Sequence, residues 1–270
     1  MWLSNCSLTG GWGNFMKISV VTVCLNSERT IRYTVDSFLR QTHPEKELLV
    51  IDGVSTDATL AIVRGYDAPE ILVLSEPDKG IYDAMNKGLH RFSGDAVGFL
   101  NSDDCFHSDS ALAHIASAFA NNDVVYGGVR LIADHHSKRM IRKWPATAFS
   151  RRALRTGWIP PHPGFYIRRE AAKKVGIFDT SYRIAADYDY MVRALLLPNV
   201  RVAAVPQTIT DYQLGGASSN SLRMIWRQNL ECLDVRKKWL GSGRIDAAFF
   251  LRPARRIGQF LAAVDREATQ

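Results

Sequence analysis

Ala96-Val97-Gly98-Phe99-Leu100-Asn101-Ser102-Asp103-Asp104 reads as a short apolar strand that ends in two adjacent carboxylates. In open α/β sheets ligands bind outside the carboxyl ends of the strands, so acids placed there face a crevice. Two hard oxygen donors in a crevice suit a divalent cation such as Mg²⁺, which takes one or two carboxylates together with substrate phosphates. The simpler alternative is that Asp103 and Asp104 cap the helix that follows, a position Asp favours.

The residues before this stretch repeat one unit. Residues 18–25 form an apolar, β-branched run, and residues 28–41 then place Ile31, Val35, Phe38 and Leu39 at helical spacing. Leu48-Leu49-Val50-Ile51 is a second strand that stops at Asp52-Gly53, with a short helix from about Asp57. Ile71-Leu72-Val73-Leu74 is a third strand, and residues 80–92 carry Ile81, Met85, Leu89 and Phe92 on one helical face. After the strand at 96–100, residues 108–120 form a helix of small residues. Such alternation predicts an α/β fold, a Rossmann-like, mostly parallel sheet flanked by helices on both faces. The pattern then changes. Residues 124–142 read as strands broken by Gly127-Gly128 and by the turn Asp134-His135-His136-Ser137. Residues 165–168 read as a strand and 169–175 as a short helix. From about residue 218 the chain reads as two helices separated by Gly241-Ser242-Gly243, a helical C-terminal appendage.

The 270 residues suffice for one large α/β domain with a small appendage, and the formal charge of +7 points to an anionic partner. Cys6, Cys24, Cys105 and Cys232 lack CxxC or zinc spacing, which indicates a reducing compartment and a cytoplasmic location. No apolar run reaches the roughly 18 residues of a membrane span. Residues 1–15 lack signal-peptide character, and Met16 reads as the natural start, with residues 1–15 a disordered extension.

Several short segments carry chemistry. Asp52 ends a strand and could accept hydrogen bonds from a nucleobase or ribose, or simply close its own turn, while Asp57 suits an N-cap. In Asp78-Lys79-Gly80-Ile81-Tyr82-Asp83-Ala84-Met85-Asn86-Lys87-Gly88, Asp78 can cap the helix and Lys79 can meet a phosphate. Ala84 and Gly88, four apart, offer a smooth face to the sheet. In Ala186-Asp187-Tyr188-Asp189-Tyr190 one carboxylate could serve as a general base, or both acids could simply complement a helix N-terminus. His162, in the rigid Pro160-Pro161-His162-Pro163-Gly164 turn, could touch a metal, a diphosphate or an acceptor sugar. The turn Gly215-Gly216-Ala217-Ser218 could present backbone N–H groups to an anion.

In this order the motifs resemble the family 2 glycosyltransferases with a GT-A type fold, over residues 16–219. The Asp78 to Gly88 block resembles the branch that builds bacterial exopolysaccharide, capsule and O-antigen chains. The resemblance implies a catalytic domain over 16–219, with a nucleotide-sugar half at 16–129 and an acceptor half at 130–219. It implies an inverting transfer of one sugar from a nucleotide-diphosphate sugar to a saccharide or polyprenyl-diphosphate-linked acceptor, with Mn²⁺ or Mg²⁺ as cofactor. By resemblance Thr22, Asn26, Asp52, Asp78, Lys79 and Asp103 would line the donor site, Asp52 at the nucleobase and Asp103 at the ribose. Asp104 would ligate the metal, and His162, Gly216 and Ser218 would contact the acceptor or diphosphate. Asp187 would be the base, with Asp189 as the alternative. Asn101 stands where the family often has an acid, and Ala186-Asp187 where it commonly has Glu-Asp. The processive Gln-x-x-Arg-Trp signature is missing, which implies one sugar per encounter.

Two other enzyme classes fit less well. A sugar-phosphate nucleotidyltransferase should carry a Gly-rich, Arg-containing loop after the first strand, and a dehydrogenase a G-x-G-x-x-G turn, where this chain has Cys24-Leu25-Asn26-Ser27-Glu28. A catalytically silent nucleotide- or glycan-binding subunit is the non-enzymatic alternative. Finally, residues 222–260 hold nine Lys or Arg against three acids, interleaved with Trp226, Trp239, Phe249, Phe250 and Phe260. A basic amphipathic tail over 220–270 can lie on an anionic membrane at the inner face of the plasma membrane, or pack on the catalytic domain with a solvated basic face. No nucleic-acid-binding module is present, which argues against nucleic acid as the anionic partner.

Overall fold

The computed structural model describes residues 15–213 and 222–241. The extension over residues 1–14, the turn carrying Gly216 and Ser218, and the helix expected after Gly241 lie outside the described residues. The chain runs β1 (Ile18–Cys24), α1 (Ile31–Leu39), β2 (Lys46–Asp52), α2 (Thr59–Arg64), β3 (Ile71–Ser75), α3 (Ile81–Arg91), β4 (Ala96–Phe99) and β5 (Asp104–Phe106). It continues through α4 (Ala111–Ala118), β6 (Val124–Ile132), β7 (Met140–Trp144), α5 (Arg151–Arg155) and β8 (Phe165–Arg168). The last elements are α6 (Arg169–Val175), α7 (Ala186–Leu196), β9 (Val202–Gln213) and α8 (Leu222–Leu240).

β1 is the pivot of the sheet. It pairs in parallel with β2 on one side and β4 on the other, and β3 extends the sheet beyond β2. The strand order therefore reverses between β1 and β4. Loops leaving those two strands diverge, which opens a crevice at their carboxyl ends. Beyond β4 the sheet becomes mixed: β8 is antiparallel to β4 and β6, β9 is parallel to β6, and β5 is antiparallel to β9.

Both faces are apolar because the central strands are buried on both sides. Val21, Val23, Leu49, Ile51, Val97 and Phe99 face a core built with α3, α6, α7 and α8. Ile18, Val20, Leu48, Val50 and Ala96 face the opposite core, closed by Ile31, Val35 and Phe38 of α1 and by Leu112 and Ile115 of α4.

One expected break is absent. Gly127-Gly128 do not interrupt β6, which runs through both residues. The irregularity falls on β9, where Val205 pairs with Gly127 and Thr208 with Gly128, so Pro206 and Gln207 bulge out. Proline has no N–H to give a ladder, and a bulge accommodates it.

At the amino end of β1, Glu47 ties three strands together. Its carboxylate pairs with Lys17 Nζ at 2.7 Å and accepts from Ser19 Oγ and the Ser93 backbone N–H, each at 2.6 Å. Burial pushes its pKa up, but the Lys17 ammonium and the Ser19 and Ser93 donors outweigh that and bring it down to about 2. A depressed carboxylate stabilises the fold fully above its unfolded pKa, and the contribution is lost as pH falls through the folded value. Glu47→Gln is therefore expected to cost roughly 3 kcal/mol at neutral pH. Measured by urea denaturation, its difference from wild type should shrink from about pH 4.5 downward and vanish near pH 2.

Candidate active site

Side chains stitch the loops at the carboxyl edge into one rim. After β1, Asn26 Oδ1 accepts from the Thr56 N–H at 2.9 Å, and the Asn26 N–H donates to Ser55 Oγ at 2.8 Å. The Ser27 N–H donates to Thr59 Oγ1 at 2.7 Å, and Ser27 Oγ lies 2.9 Å from Ser102 Oγ in the loop after β4. Asn26 sits at φ 51°, a left-handed conformation that Asn tolerates better than most residues.

Two residues expected at the donor are buried. Thr22 is fully covered inside β1, and its hydroxyl has no hydrogen-bond partner among the described residues. Asp52 is also fully buried and its carboxylate is spent locally. It accepts from the Val54 and Ser55 N–H groups at 3.1 Å each, from Ser75 Oγ at 2.7 Å and from the Ser55 hydroxyl. Burial would raise its pKa, yet the Ser55 and Ser75 bonds hold it below the usual carboxylate range. The turn it closes needs this support, since Val54 is held at φ 67°, a rare conformation for a β-branched side chain. What the turn presents outward is apolar: Leu25 and Val54 are 57% and 46% exposed.

Asp78 stands beside this turn, and a Cβ on Gly53 would lie 2.5 Å from its Oδ2. Asp78 Oδ1 accepts from the Gly80 N–H at 2.8 Å, and Asp83 accepts from the Lys79 N–H at 2.9 Å. These bonds start α3, leaving the Lys79 side chain exposed at the crevice. Asn86 pins the loop before α7, donating to Phe178 O at 3.0 Å and accepting from Phe178 N at 2.8 Å.

Asp103 and Asp104 cap no helix, because α4 begins only at Ala111. Asp104 instead opens β5, where it is 2% exposed, and Asp103 is half-buried. Two main-chain anchors fix the pair: Thr34 Oγ1 donates to Asp104 O at 2.7 Å, and His135 Nε2 to Asp103 O at 2.9 Å. The Asp104 carboxylate meets the Asn101 amide at 3.4 Å and the backbone N–H groups of Gln213 and Asn101, and no cationic side chain among the described residues pairs with it. Burial and then the Asp103 charge push its pKa well above the ordinary value. This is an oxygen donor set in need of a positive charge, and it fits Mn²⁺ or Mg²⁺. Among the described residues no three His, Cys, Asp or Glu side chains converge on one point. An ion here would complete its shell with water and diphosphate oxygens.

Asp187 and Asp189 part company on α7. Asp189 is 1% exposed, paired with Arg193 Nε at 2.8 Å and bonded to Trp239 Nε1 of α8 at 2.7 Å. Asp187 is half-buried, and its Oδ1 accepts from the Tyr188 N–H at 2.8 Å. Tyr82 of α3 donates to Ile184 O at 2.6 Å, with Asp187 Oδ1 at 3.3 Å as a second acceptor. His162 stacks on Phe99, ring centroids 5.6 Å apart, between the end of β4 and α7. Its Nε2 is buried with no protein partner, and burial lowers its pKa against the pull of Asp187.

α8 packs on this region rather than trailing from it. Glu231 accepts from the Ile184 and Ala185 N–H groups at 2.9 and 3.0 Å, and Tyr182 Oη donates to Asp234 at 2.7 Å. Cys232, Leu233, Val235 and Arg236 are buried beneath it, while Trp226 and Leu230 are 57% and 55% exposed beside Arg223 and Arg227. Tyr82, His135 and Glu231 are the site residues that sequence reasoning missed. Tyr82 lay inside a block already singled out, whereas His135 lies in a distant turn and Glu231 in helix α8, and neither carried a local signal.

Comparison with known proteins gives these positions a context. The profile of glycosyl transferase family 2 matches residues 19–184. A "PGL/p-HBAD biosynthesis glycosyltransferase" of Mycobacterium bovis is 28% identical over 211 residues, covering 76% of this chain and 79% of its own. The structure of S. aureus TarS 1–349 in complex with UDP-GlcNAc superposes with a TM-score of 0.65 at 20% identity, covering 86% of this chain and 69% of that one. The mannosyltransferase PcManGT from Pyrobaculum calidifontis, in complex with GDP-Man and Mn²⁺, gives 0.62 at 18% identity, covering 94% and 75%.

The two α7 carboxylates should separate in stability as they do in surroundings. Asp189→Ala strands Arg193, whose side chain is only 14% exposed, and should cost about 3–5 kcal/mol in denaturant unfolding. Asp187→Asn should change stability by less than about 1 kcal/mol.

Proposed function

The chain belongs to glycosyl transferase family 2, and from that premise we propose that this glycosyltransferase moves one sugar from a nucleotide-diphosphate sugar to a saccharide or lipid-linked saccharide acceptor, with inversion, in surface polysaccharide synthesis. The observation that carries the reading is a half-buried carboxylate, Asp187, whose charge acts on His162, a ring stacked on Phe99 at the end of the strand that leads into Asp103-Asp104.

In this reading the nucleobase lies on the apolar surface of Leu25 and Val54, with Asp78 beside it, because the Asp52 carboxylate has no free acceptor to offer. Asp103 takes the ribose, and Lys79 reaches toward the diphosphate. Asp104 would hold a divalent cation, which would supply Lewis-acid stabilisation of the negative charge on the departing diphosphate. The acceptor hydroxyl gives its proton to Asp187 as its oxygen forms the bond to the anomeric carbon. The bond from that carbon to the diphosphate oxygen breaks on the opposite face and leaves with the electron pair. A general base must reach its proton by a hydrogen bond, and Asp189, buried against Arg193 and Trp239, has no room for one. His162 Nε2, buried without a partner among the described residues, would bond a sugar hydroxyl in this reading. The GDP-Man and Mn²⁺ bound by PcManGT and the UDP-GlcNAc bound by TarS support a nucleotide-sugar donor with a metal.

Among the described residues no helix is long and apolar enough to cross a membrane. The outer face of α8, with Trp226, Leu230, Arg223 and Arg227, supports contact with an anionic bilayer surface where a lipid-linked acceptor would lie.

A screen of UDP-, GDP- and dTDP-sugars with Mn²⁺ or Mg²⁺ should show metal-dependent release of nucleoside diphosphate from one donor class. Asp104→Ala should abolish that release, and Asp187→Asn should lower transfer by about 10²-fold or more without unfolding the protein. Full activity of the Asp104 variant, or of wild type in EDTA, would refute the metal assignment. Because α8 is part of the fold, membrane contact is better tested by substitution than by truncation. Trp226→Ser with Leu230→Ser should abolish flotation with vesicles containing phosphatidylglycerol, and equal flotation of both proteins would sink that part.

A further inference from the structure

The turn that delivers Asp187 is gripped from two sides. From α8, Glu231 accepts from the Ile184 and Ala185 N–H groups just before the helix. From α3, the Tyr82 hydroxyl spans the Ile184 carbonyl and Asp187 Oδ1. With the Tyr188 N–H on the same oxygen, Oδ1 has two protein partners, whereas no bond is recorded to Oδ2 among the described residues. Oδ1 is thereby fixed and Oδ2 is the oxygen left to meet an incoming hydroxyl.

We infer that Tyr82 is a positioning residue for the general base: its hydroxyl holds Asp187 Oδ1 so that Oδ2 faces the acceptor. The inference rests on the assignment of Asp187 as base and extends it to a residue contributed by another part of the sheet edge. One phenolic proton and two acceptors within reach allow the hydroxyl to follow the charge on Asp187. When Asp187 is ionised the proton can favour Oδ1, and when Asp187 has taken the acceptor proton on Oδ2 it can return to the Ile184 carbonyl. Tyr82 itself is not deprotonated, since burial and then the Asp187 charge push its pKa far up. Its ring is anchored by stacking on Phe178 with centroids 5.9 Å apart, and Phe178 is in turn pinned by Asn86. The titratable groups around Asp187 are Tyr82 from α3, His162 from the turn before β8 and Glu231 from α8, while Asp189 on its own helix is turned away to Arg193 and Trp239.

Tyr82→Phe keeps the ring and removes only the hydroxyl. Carboxyl ¹³C NMR of the full chain at neutral pH, with the Asp187 resonance assigned by its disappearance in Asp187→Asn, reads the bond directly. Its chemical shift should move in Tyr82→Phe, and move the opposite way with 3-fluorotyrosine at position 82, a stronger donor in the same shape. With the donor found by the screen, Tyr82→Phe should lower kcat about tenfold and leave the donor KM unchanged, while the fluorinated protein keeps kcat near that of wild type. The same Asp187 chemical shift in wild type, Tyr82→Phe and the fluorinated protein would overturn the inference. Should the chemical shift move while Asp187→Asn still turns over, the coupling stands and the base assignment falls.

Discussion

Helix α3 lies against β1 at a distance that only glycine permits at position 88, where a Cβ would come within 2.4 Å of Val21 Cγ1. That approach decides more than local packing. It brings the start of α3 to the carboxyl edge of the sheet, so that Asp78 and Lys79 stand at the crevice and Tyr82 reaches the turn before α7. One turn further along, Asn86 captures both polar groups of the Phe178 backbone and fixes the segment that leads to Asp187. The loop before α3 and the turn before α7 are thus registered against each other by one eleven-residue helix. A larger residue at position 88 would lift α3 and disturb both together.

Electrostatics divide the acids of this edge into two kinds. Asp52 and Asp189 are buried and fully supplied with donors, so their charges are spent on structure. Asp104 is as deeply buried, but its donors are a long amide contact and two backbone N–H groups, with no cation among them, and its neighbour is another acid. A buried anion without a counter-charge is costly, and an arrangement that keeps one is suited to gaining a cation along with its ligand. Burial alone therefore does not mark function; unmatched burial does.

The βα alternation of the first half was legible because each strand is buried on both faces and each helix shows a clean 3.6 period. The carboxyl-end placement of Asp103-Asp104 followed from the same pattern. Less was legible after residue 124. β9 went unread because its middle holds Pro206 and polar residues, and it tolerates them by bulging against Gly127-Gly128. The family resemblance puts Thr22 and Asp52 at the donor, and tertiary packing, which no local pattern reports, buries both side chains. Asp187 and Asp189 could not be separated because α7 is buried nearly all round, so its apolar pattern names no outer face. Two positions apart on a helix point about 200° away from each other, which sends one carboxylate to Arg193 and leaves the other at the crevice.

The family profile ends at residue 184, three residues before the proposed base, yet the base turn is held largely from beyond that limit. Glu231 and Trp239 of α8 bond the backbone before Asp187 and the side chain of Asp189, so the C-terminal helix sets the pitch at which α7 enters the crevice. Its inner face is committed to that task by Cys232, Leu233 and Val235, while Trp226 and Leu230 remain outward among arginines. One helix therefore joins the turn before Asp187 to an exposed face that carries Trp226 and Leu230 among arginines. Where the acceptor is carried by a lipid, that linkage would place the base at a fixed height above the surface from which the acceptor hydroxyl rises.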